Sequence, residues 1–238
     1  MKRVICSIVL WCLSAVHVDA TPGVIGIDDE EKYRQYQDIN KALQHMKNVT
    51  YWMYYRSYVQ TTEDNAEHSC VYAIVLGKED ESYKFEQGYK RKMQDGSTEL
   101  VKVILYATPY KTETVTTERE VENAMRVHKD KSSSGGRKYK LVYSDDKCRI
   151  LRLLDGDKLN NCELYIEDSY VDGKVPPVCE SVYGNACGKN HDSYRRMVYN
   201  QSCKNFINKP NEASTELPTE ETTGQEQEIT PPSKPPGC

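Results

Sequence analysis

The chain has 238 residues and a formal net charge of −4, and no basic stripe is available to neutralise the phosphates of a nucleic acid. After the first 20 residues, no stretch approaches the roughly eighteen consecutive apolar residues that a membrane-spanning helix needs. Composition and charge therefore exclude nucleic acid as a partner and argue against a membrane anchor.

The first 20 residues are typical of a secretory signal peptide. Lys2 and Arg3 give a positive start, and the apolar run over 4–16 is too short to cross a bilayer. Val18-Asp19-Ala20 offers a cleavage site with small residues. We expect the mature chain to begin at Thr21 and to be secreted into an oxidising extracellular compartment.

The cysteines of the mature chain predict a disulfide framework. Those that remain are Cys70, Cys148, Cys162, Cys179, Cys187, Cys203 and Cys238. Six lie before residue 209, which predicts three disulfides, while the terminal Cys238 is an odd thiol that can link two chains. No C-x-x-C or paired-histidine spacing accompanies them, so we expect neither a zinc site nor a cofactor.

Two regions are expected to face solvent. The N-x-[ST] sequons at Asn48 and Asn200 predict N-glycans at the surface. Residues 209–238 are rich in Pro, Thr, Ser, Glu and Gln, with almost no apolar residue to offset the entropy of ordering. This segment is predicted to be a disordered tail, which leaves 21–208 as one domain.

The domain is predicted to begin with a helix and to continue as strands. Acids over 28–31 and apolar residues at helical spacing over 36–46 predict a helix spanning about 29–46. A second short helix is predicted over 178–186, starting near Pro177. Between them the hydrophobic period is two, which predicts strands over 51–58, 70–76, 83–90, 100–106, 115–127, 138–143, 148–154 and 162–166.

Eight strands in meander order favour an all-β fold with flanking helices. An eight-stranded antiparallel sheet that closes into a barrel has no exposed edges and leaves room inside for one small ligand. The chain contains 18 Tyr but only 2 Phe, and tyrosine suits a cavity for an amphipathic molecule. The alternative is that these tyrosines are simply good strand formers.

Catalysis has little support in the sequence. His191-Asp192-Ser193 contains the residue types of a catalytic triad, but three consecutive residues cannot converge as nucleophile, base and orienting group. No G-x-S-x-G or H-E-x-x-H motif is present. The sequence therefore favours a binding protein over an enzyme.

Three segments resemble the tick salivary lipocalins of the histamine-binding protein family. Residues 36–43, YQDINKAL, are similar to the N-terminal helix signature, 143–148 to the approach to the seventh strand, and 162–165 to the eighth. The similarity runs across nearly all of 33–206. It implies an eight-stranded antiparallel lipocalin barrel with helices outside, secreted in saliva to sequester host inflammatory mediators.

The resemblance also implies the disulfide pairing. Cys70 would pair with Cys203 and tie an early strand to the C-terminal segment, while Cys148 would pair with Cys179 and tie a late strand to the second helix. Cys162 with Cys187 is then the remaining pair.

The family's amine-binding residues match this sequence only in part. Glu163 matches a carboxylate that binds the amine, and Tyr58 matches a tyrosine on the first strand. Arg149 stands where the family motif has an acid, and Asn40 stands where its helix signature has a Trp. The resemblance therefore supports a ligand cavity without assigning an amine to it.

The departures favour a carboxylate ligand over an ammonium. Strict alternation places Arg56 on the same strand face as Trp52, Tyr54 and Tyr58. Arg56 and Arg149 would bind a carboxylate through two-point hydrogen bonds. We expect a lipid mediator such as leukotriene B4, with a biogenic amine such as histamine or serotonin next, unless both arginines lie on outer faces and extend to water.

A second class of function is a protein-binding inhibitor. Under this hypothesis the outer surface or the acidic tail contacts a host plasma protein of complement or haemostasis. The hypothesis stays open since the same fold can serve different functions. Deleting 209–238 would separate the two classes, since only the inhibitor is expected to need the tail.

Overall fold

The computed structural model describes residues 28, 31–59, 68–93, 95–113, 118–131, 133, 135–155, 161–188 and 192–208. The predicted signal peptide, the tail over 209–238 and Cys238 lie outside these residues. The strands are β1 Tyr51–Arg56, β2 Ser69–Glu79, β3 Ser82–Lys92, β4 Thr98–Tyr110, β5 Ala124–His128, β6 Arg137–Ser144, β7 Cys148–Leu153, β8 Cys162–Glu167 and β9 Arg196–Met197. The helices are α1 Ile39–His45, α2 Pro177–Cys187 and α3 Ser202–Asn208, with 3-10 helices at Glu31–Tyr36 and Asp192–Arg195.

The sheet closes into an antiparallel barrel. Strands β2 to β8 pair in chain order, and β1 closes the ring because it pairs with both β8 and β2. Trp52 marks the closure, since it lies opposite Ile166 of β8 and Tyr72 of β2. The predicted eight-stranded barrel is therefore confirmed, and the short β9 is added to it on the edge of β1.

The predicted strand over 115–127 is wrong over 118–123, and 115–117 lie outside the described residues. The ladder begins only at Ala124, because side chains ahead of it make loop hydrogen bonds. The Asn123 carboxamide oxygen accepts from the Thr112 backbone N–H at 2.9 Å, and Arg119 is buried against Gln37, with Nη1 2.9 Å from Oε1. The chain there serves as a connection that anchors the N-terminal segment.

The predicted helix over 29–46 is divided in two. A 3-10 helix ends at Tyr36, and α1 begins at Ile39 after an N-cap by Asp38, whose side chain accepts from the Lys41 N–H. Between them Gln37 is fully buried and donates to the carbonyls of Asp28 and Val142. The break follows from the capping carboxylate and from this buried amide.

Apolar side chains form an inner and an outer core. Inward-facing residues such as Met53, Val75 and Leu151 pack inside the barrel with α1. Residues of opposite phase, among them Trp52 and Leu164, pack outside it under α2 and the C-terminal segment. Alternation along each strand produces both layers.

Three disulfides staple the outer core. They join Cys70 to Cys203, Cys148 to Cys179, and Cys162 to Cys187. These are the pairs that the resemblance implies. They hold α2 and α3 against the barrel wall.

A buried ion pair attaches the N-terminal segment to the barrel. Arg152 donates from Nε and Nη2 to the two Asp28 carboxylate oxygens at 2.5 and 3.1 Å, and also from Nη2 to the carbonyl of Ala186 on α2 at 2.7 Å. Both charged side chains are at least 97% buried. The Arg152 guanidinium of β7 thus links the N-terminal segment to α2.

Replacing Asp28 with Asn is expected to lower the free energy of unfolding by about 3 kcal/mol, because removing one partner leaves a buried, uncompensated guanidinium. Urea denaturation of the folded domain measures the change. Glu31→Gln is the control, since the Glu31 side chain is 82% exposed in its ion pair with Arg34 and exposed pairs contribute little. Equal midpoints for the two variants would contradict the expectation.

Candidate ligand-binding site

The barrel encloses a cavity of about 620 Å³, within the range of about 300 to 1,000 Å³ that small-molecule sites occupy. Its walls are mainly apolar, and Ile39 and Leu43 of α1, with Met46 just after the helix, form part of the lining. The strands contribute Val75, Phe85, Val103, Leu105, Met125 and Leu151, among others. Polar side chains interrupt this lining, and two of them, Glu163 and Arg149, are buried charged groups.

A bulge in β1 decides which of the predicted β1 residues face this cavity. The register with β8 shifts between Met53 and Tyr55, so that Arg56 lies opposite the inward-facing Glu163. Trp52 and Tyr54 point to the outer core instead, where both rings contact Tyr199. The expectation that Trp52, Tyr54, Arg56 and Tyr58 share one face is therefore wrong.

Glu163 is the centre of a buried hydrogen-bonded group. The Tyr58 hydroxyl donates to Oε1, and the Tyr165 hydroxyl donates to Oε2 at 3.1 Å. Arg56, 1% exposed, lies across from Glu163 and donates to the carbonyl of His68 at 2.9 Å. The structure thus brings Tyr58, Arg56 and Glu163 together.

Burial raises the pKa of Glu163 above its ordinary value, and this effect outweighs several opposing ones. Hydrogen bonds from Tyr58 and Tyr165 and the charges of Arg137 and Arg56 each lower that pKa. Burial likewise raises the pKa of Tyr58, and the neighbouring carboxylate raises it further. The tyrosines are therefore neutral donors that stabilise a costly buried carboxylate.

Glu163→Gln is expected to stabilise the ligand-free protein at neutral pH. A raised pKa in the folded state means that folding favours the protonated carboxyl. Its contribution is fully present below about pH 4, the pKa region of an unfolded glutamate, and is lost as pH rises through the folded-state pKa. Thermal unfolding from pH 4 to pH 8 should show the variant with the higher Tm only toward the upper end. Glu99→Gln, at an exposed ion pair with Arg91, should show no such trend, and a constant offset for Glu163→Gln would contradict the assignment.

Arg149 lies on the cavity wall as a separate charged group. Its guanidinium donates to the Tyr51 hydroxyl at 3.1 Å and to the carbonyls of Cys148, at 2.8 Å, and Asp145. It also lies 4.9 Å from the centre of the Tyr51 ring, and burial lowers its pKa. Arg149 and Glu163 do not form a pair with each other, because each has its own hydrogen-bond partners.

Sequence reasoning missed several residues of the site. Arg137 and Tyr139 of β6 line the cavity beside Glu163, as does Tyr165 of β8. Tyr51 holds the Arg149 guanidinium. Strand alternation could have identified the two β6 residues. Arg137 and Tyr139 are on the same strand face as Leu141, which is a core residue.

Comparison with known proteins gives the family. The model of the tick histamine binding protein family matches residues 27–205. The chain belongs to this family. No curated protein matches this tick lipocalin. Among solved structures it is similar to Japanin from Rhipicephalus appendiculatus bound to cholesterol, with 13% identity, a TM-score of 0.44, and coverage of 60% of this chain and 90% of Japanin.

Three further expectations concern metal binding, glycosylation and membrane-spanning helices. The cluster of metal-type side chains found there, Asp145 with Cys148 and Cys179, has both its sulfurs in one disulfide. Asn48 and Asn200 are exposed, and their glycosylation remains a prediction. None of the helices in the described ranges has the length and apolar character to cross a membrane.

Proposed function

We propose that this lipocalin is secreted in saliva after removal of residues 1–20 and sequesters a small amphipathic carboxylate of the host in its cavity. An eicosanoid of the leukotriene B4 type is the ligand class that fits best. Sequestering such a mediator would suppress the host's inflammatory defence. The observation that carries the proposal is the buried guanidinium of Arg149 on an otherwise mainly apolar wall.

Arg149 has the features of a carboxylate-binding group. It is 2% exposed, and the hydrogen-bond acceptors around it are a phenol and two carbonyls. Its buried Nε has no hydrogen-bond partner among the described residues. A buried cation whose hydrogen-bond acceptors are all neutral is costly, and the nearby charges of Asp145, Asp146 and Glu167 oppose that cost only in part. A ligand carboxylate in direct contact would offset more of it.

The rest of the cavity suits the apolar part of such a ligand. Val75, Phe85, Leu105 and Met125 offer a continuous apolar surface, and burying each methylene contributes about 0.8 kcal/mol. Tyr139 and Tyr165 would offer hydrogen bonds to hydroxyl groups along the chain. These features support a ligand with one charged end and a long apolar body.

A biogenic amine is the second candidate, and Glu163 is the observation that favours it. A buried carboxylate next to tyrosine hydroxyls is able to bind an ammonium group. However, Arg56 and Arg137 already act on its charge. Histamine or serotonin would therefore find a partly neutralised site, which is why the carboxylate ligand is preferred.

Isothermal titration calorimetry of the purified chain with leukotriene B4, histamine and serotonin tests the proposal. We expect one leukotriene per chain, displaced by a long-chain fatty acid, and weaker or no heat from the amines. The same titration after deletion of 209–238 should be unchanged. Binding of the amines alone would contradict the proposal. Inhibition of a host plasma protein that needs the tail but no cavity ligand would favour the protein-binding alternative.

A further inference from the structure

The turn that follows β8 carries an exposed tyrosine among carboxylates. Tyr170 is 41% exposed. Glu167 and Asp168 precede it by three and two positions, and Asp172 follows it by two. No contact of the cavity involves this side chain, so ligand binding gives no account of it.

The turn holds the Tyr170 side chain at the surface. The Tyr170 N–H donates to the Glu167 carbonyl at 2.9 Å, and the Gly173 N–H donates to the Tyr170 carbonyl at 3.3 Å. Asp168 accepts from the Trp52 indole at 2.7 Å, and the Lys204 ammonium lies 3.2 Å from the Asp168 carboxylate and 2.7 Å from that of Asp172. The acids are therefore anchored close to the chain on both sides of an accessible phenol.

We propose that Tyr170 is a tyrosine O-sulfation site that is modified while the chain passes through the secretory pathway. The inference rests on the secretion that is part of the proposed function. The phenolic oxygen attacks the sulfur of a nucleotide phosphosulfate donor, a new oxygen–sulfur bond forms, and the bond from sulfur to the donor's phosphate breaks. The phenolic proton passes to a base of the transferase, and the nucleotide phosphate leaves.

Acidic flanks favour this modification for an electrostatic reason. A transferase that binds a highly anionic donor carries arginine and lysine around its site, and this field attracts acidic peptide segments. Glu167, Asp168 and Asp172 provide three negative charges, of which the Lys204 ammonium between Asp168 and Asp172 offsets one. The ammonium of Lys147, 5.3 Å from the Tyr170 ring centre, would stabilise the added sulfate.

The structure also separates Tyr170 from a tyrosine that sequence alone would favour. Tyr33 follows four acids over 28–31, a denser cluster than the one at Tyr170. Yet Tyr33 packs against the outer core, and Asp28 is buried in its ion pair with Arg152. Folding withdraws Tyr33 and leaves Tyr170 accessible.

Secretion of the full chain from cultured animal cells, followed by peptide mass spectrometry, tests the site. We expect one sulfate on the peptide that contains Tyr170, removed by arylsulfatase but not by phosphatase, which distinguishes it from a phosphate of the same nominal mass. Tyr170→Phe should abolish the mass gain. Tyr36→Phe, at a residue 37% exposed, should retain it. Glu167→Gln should lower the modified fraction severalfold.

Two outcomes overturn the proposal and are distinguishable. Chain recovered from the medium with an unmodified Tyr170, or with the sulfate on Tyr33, contradicts sulfation at Tyr170 while leaving secretion intact. Chain retained in the cells contradicts secretion, and sulfation at Tyr170 with it. A second assay does not depend on export: purified folded chain, treated with a tyrosylprotein sulfotransferase and its donor, should be modified at Tyr170. Lack of reaction there also overturns the proposal.

Discussion

Replacing Cys70 and Cys203 together with alanine is expected to lower the free energy of unfolding by about 5 kcal/mol. In the chain-entropy model a disulfide destabilises the unfolded chain more when it closes a longer loop. Cys70 and Cys203 are 133 residues apart, and this disulfide secures the C-terminal segment to β2. Its loss is therefore expected to be the most damaging of the three.

The matched control is Cys162→Ala with Cys187→Ala. Those two cysteines are 25 residues apart, for which the same model gives about 3.5 kcal/mol. Both pairs are almost fully buried in the same outer core, so the cavities left by removing sulfur are comparable. Urea denaturation of the oxidised proteins measures both losses. A larger loss for the shorter loop would show that packing, and not loop length, governs the effect.

Arg149→Gln is expected to weaken leukotriene B4 binding on the order of 100-fold. Removing one member of a buried, hydrogen-bonded charge pair typically costs about 2–5 kcal/mol, and about 2.7 kcal/mol corresponds to 100-fold. Arg149→Lys should recover part of the affinity, because it keeps the charge but not the planar fork. Calorimetric titration gives each dissociation constant.

A change in the ligand separates charge recognition from damage to the protein. The methyl ester of leukotriene B4 has no carboxylate, so the unmodified protein should bind it about as weakly as Arg149→Gln binds the acid. The ester should bind equally to both proteins, which closes a double-mutant cycle. Glu163→Gln should retain the acid and lose any amine. Undiminished binding of the acid by a folded Arg149→Gln would remove Arg149 from the site.

Strand alternation predicted most of the barrel because it reports burial directly. In β7 the alternate residues Arg149 and Leu151 line the cavity, and in β8 Glu163 and Tyr165 do so. The family resemblance supplied the disulfide pairs, which cysteine spacing alone leaves open. Local pattern and family resemblance together therefore predicted the barrel and its disulfide pairs.

The phase of β1 could not be predicted in the same way. A bulge adds one residue to a strand without any strong sequence signal. Because Tyr54 and Tyr55 are both tyrosines, the sequence does not indicate which of them faces the inside of the barrel. Trp52 and Tyr54 consequently pack in the outer core, whereas Arg56 lies opposite Glu163 and Tyr58 packs against the inner core. One extra residue reverses the side-chain directions that follow it.

Long-range polar contacts could not be predicted from the sequence either. Asp28 and Arg152 are 124 positions apart, and the acids over 28–31 indicated a helix start instead. The local sequence pattern did not indicate that the Asn123 and Arg119 side chains would make loop hydrogen bonds where a strand was predicted. Such contacts depend on the folded arrangement of separate segments, which periodicity does not encode.

The outward position of Trp52 determines what an optical experiment on this molecule would report. It is the single tryptophan after residue 20, and its indole hydrogen-bonds to Asp168 and packs against Tyr72 and Tyr199. Its fluorescence should therefore respond strongly to loss of the C-terminal segment and hardly at all to occupancy. An unchanged emission spectrum, in a titration for which calorimetry shows binding, would then mean a filled barrel with an undisturbed outer core.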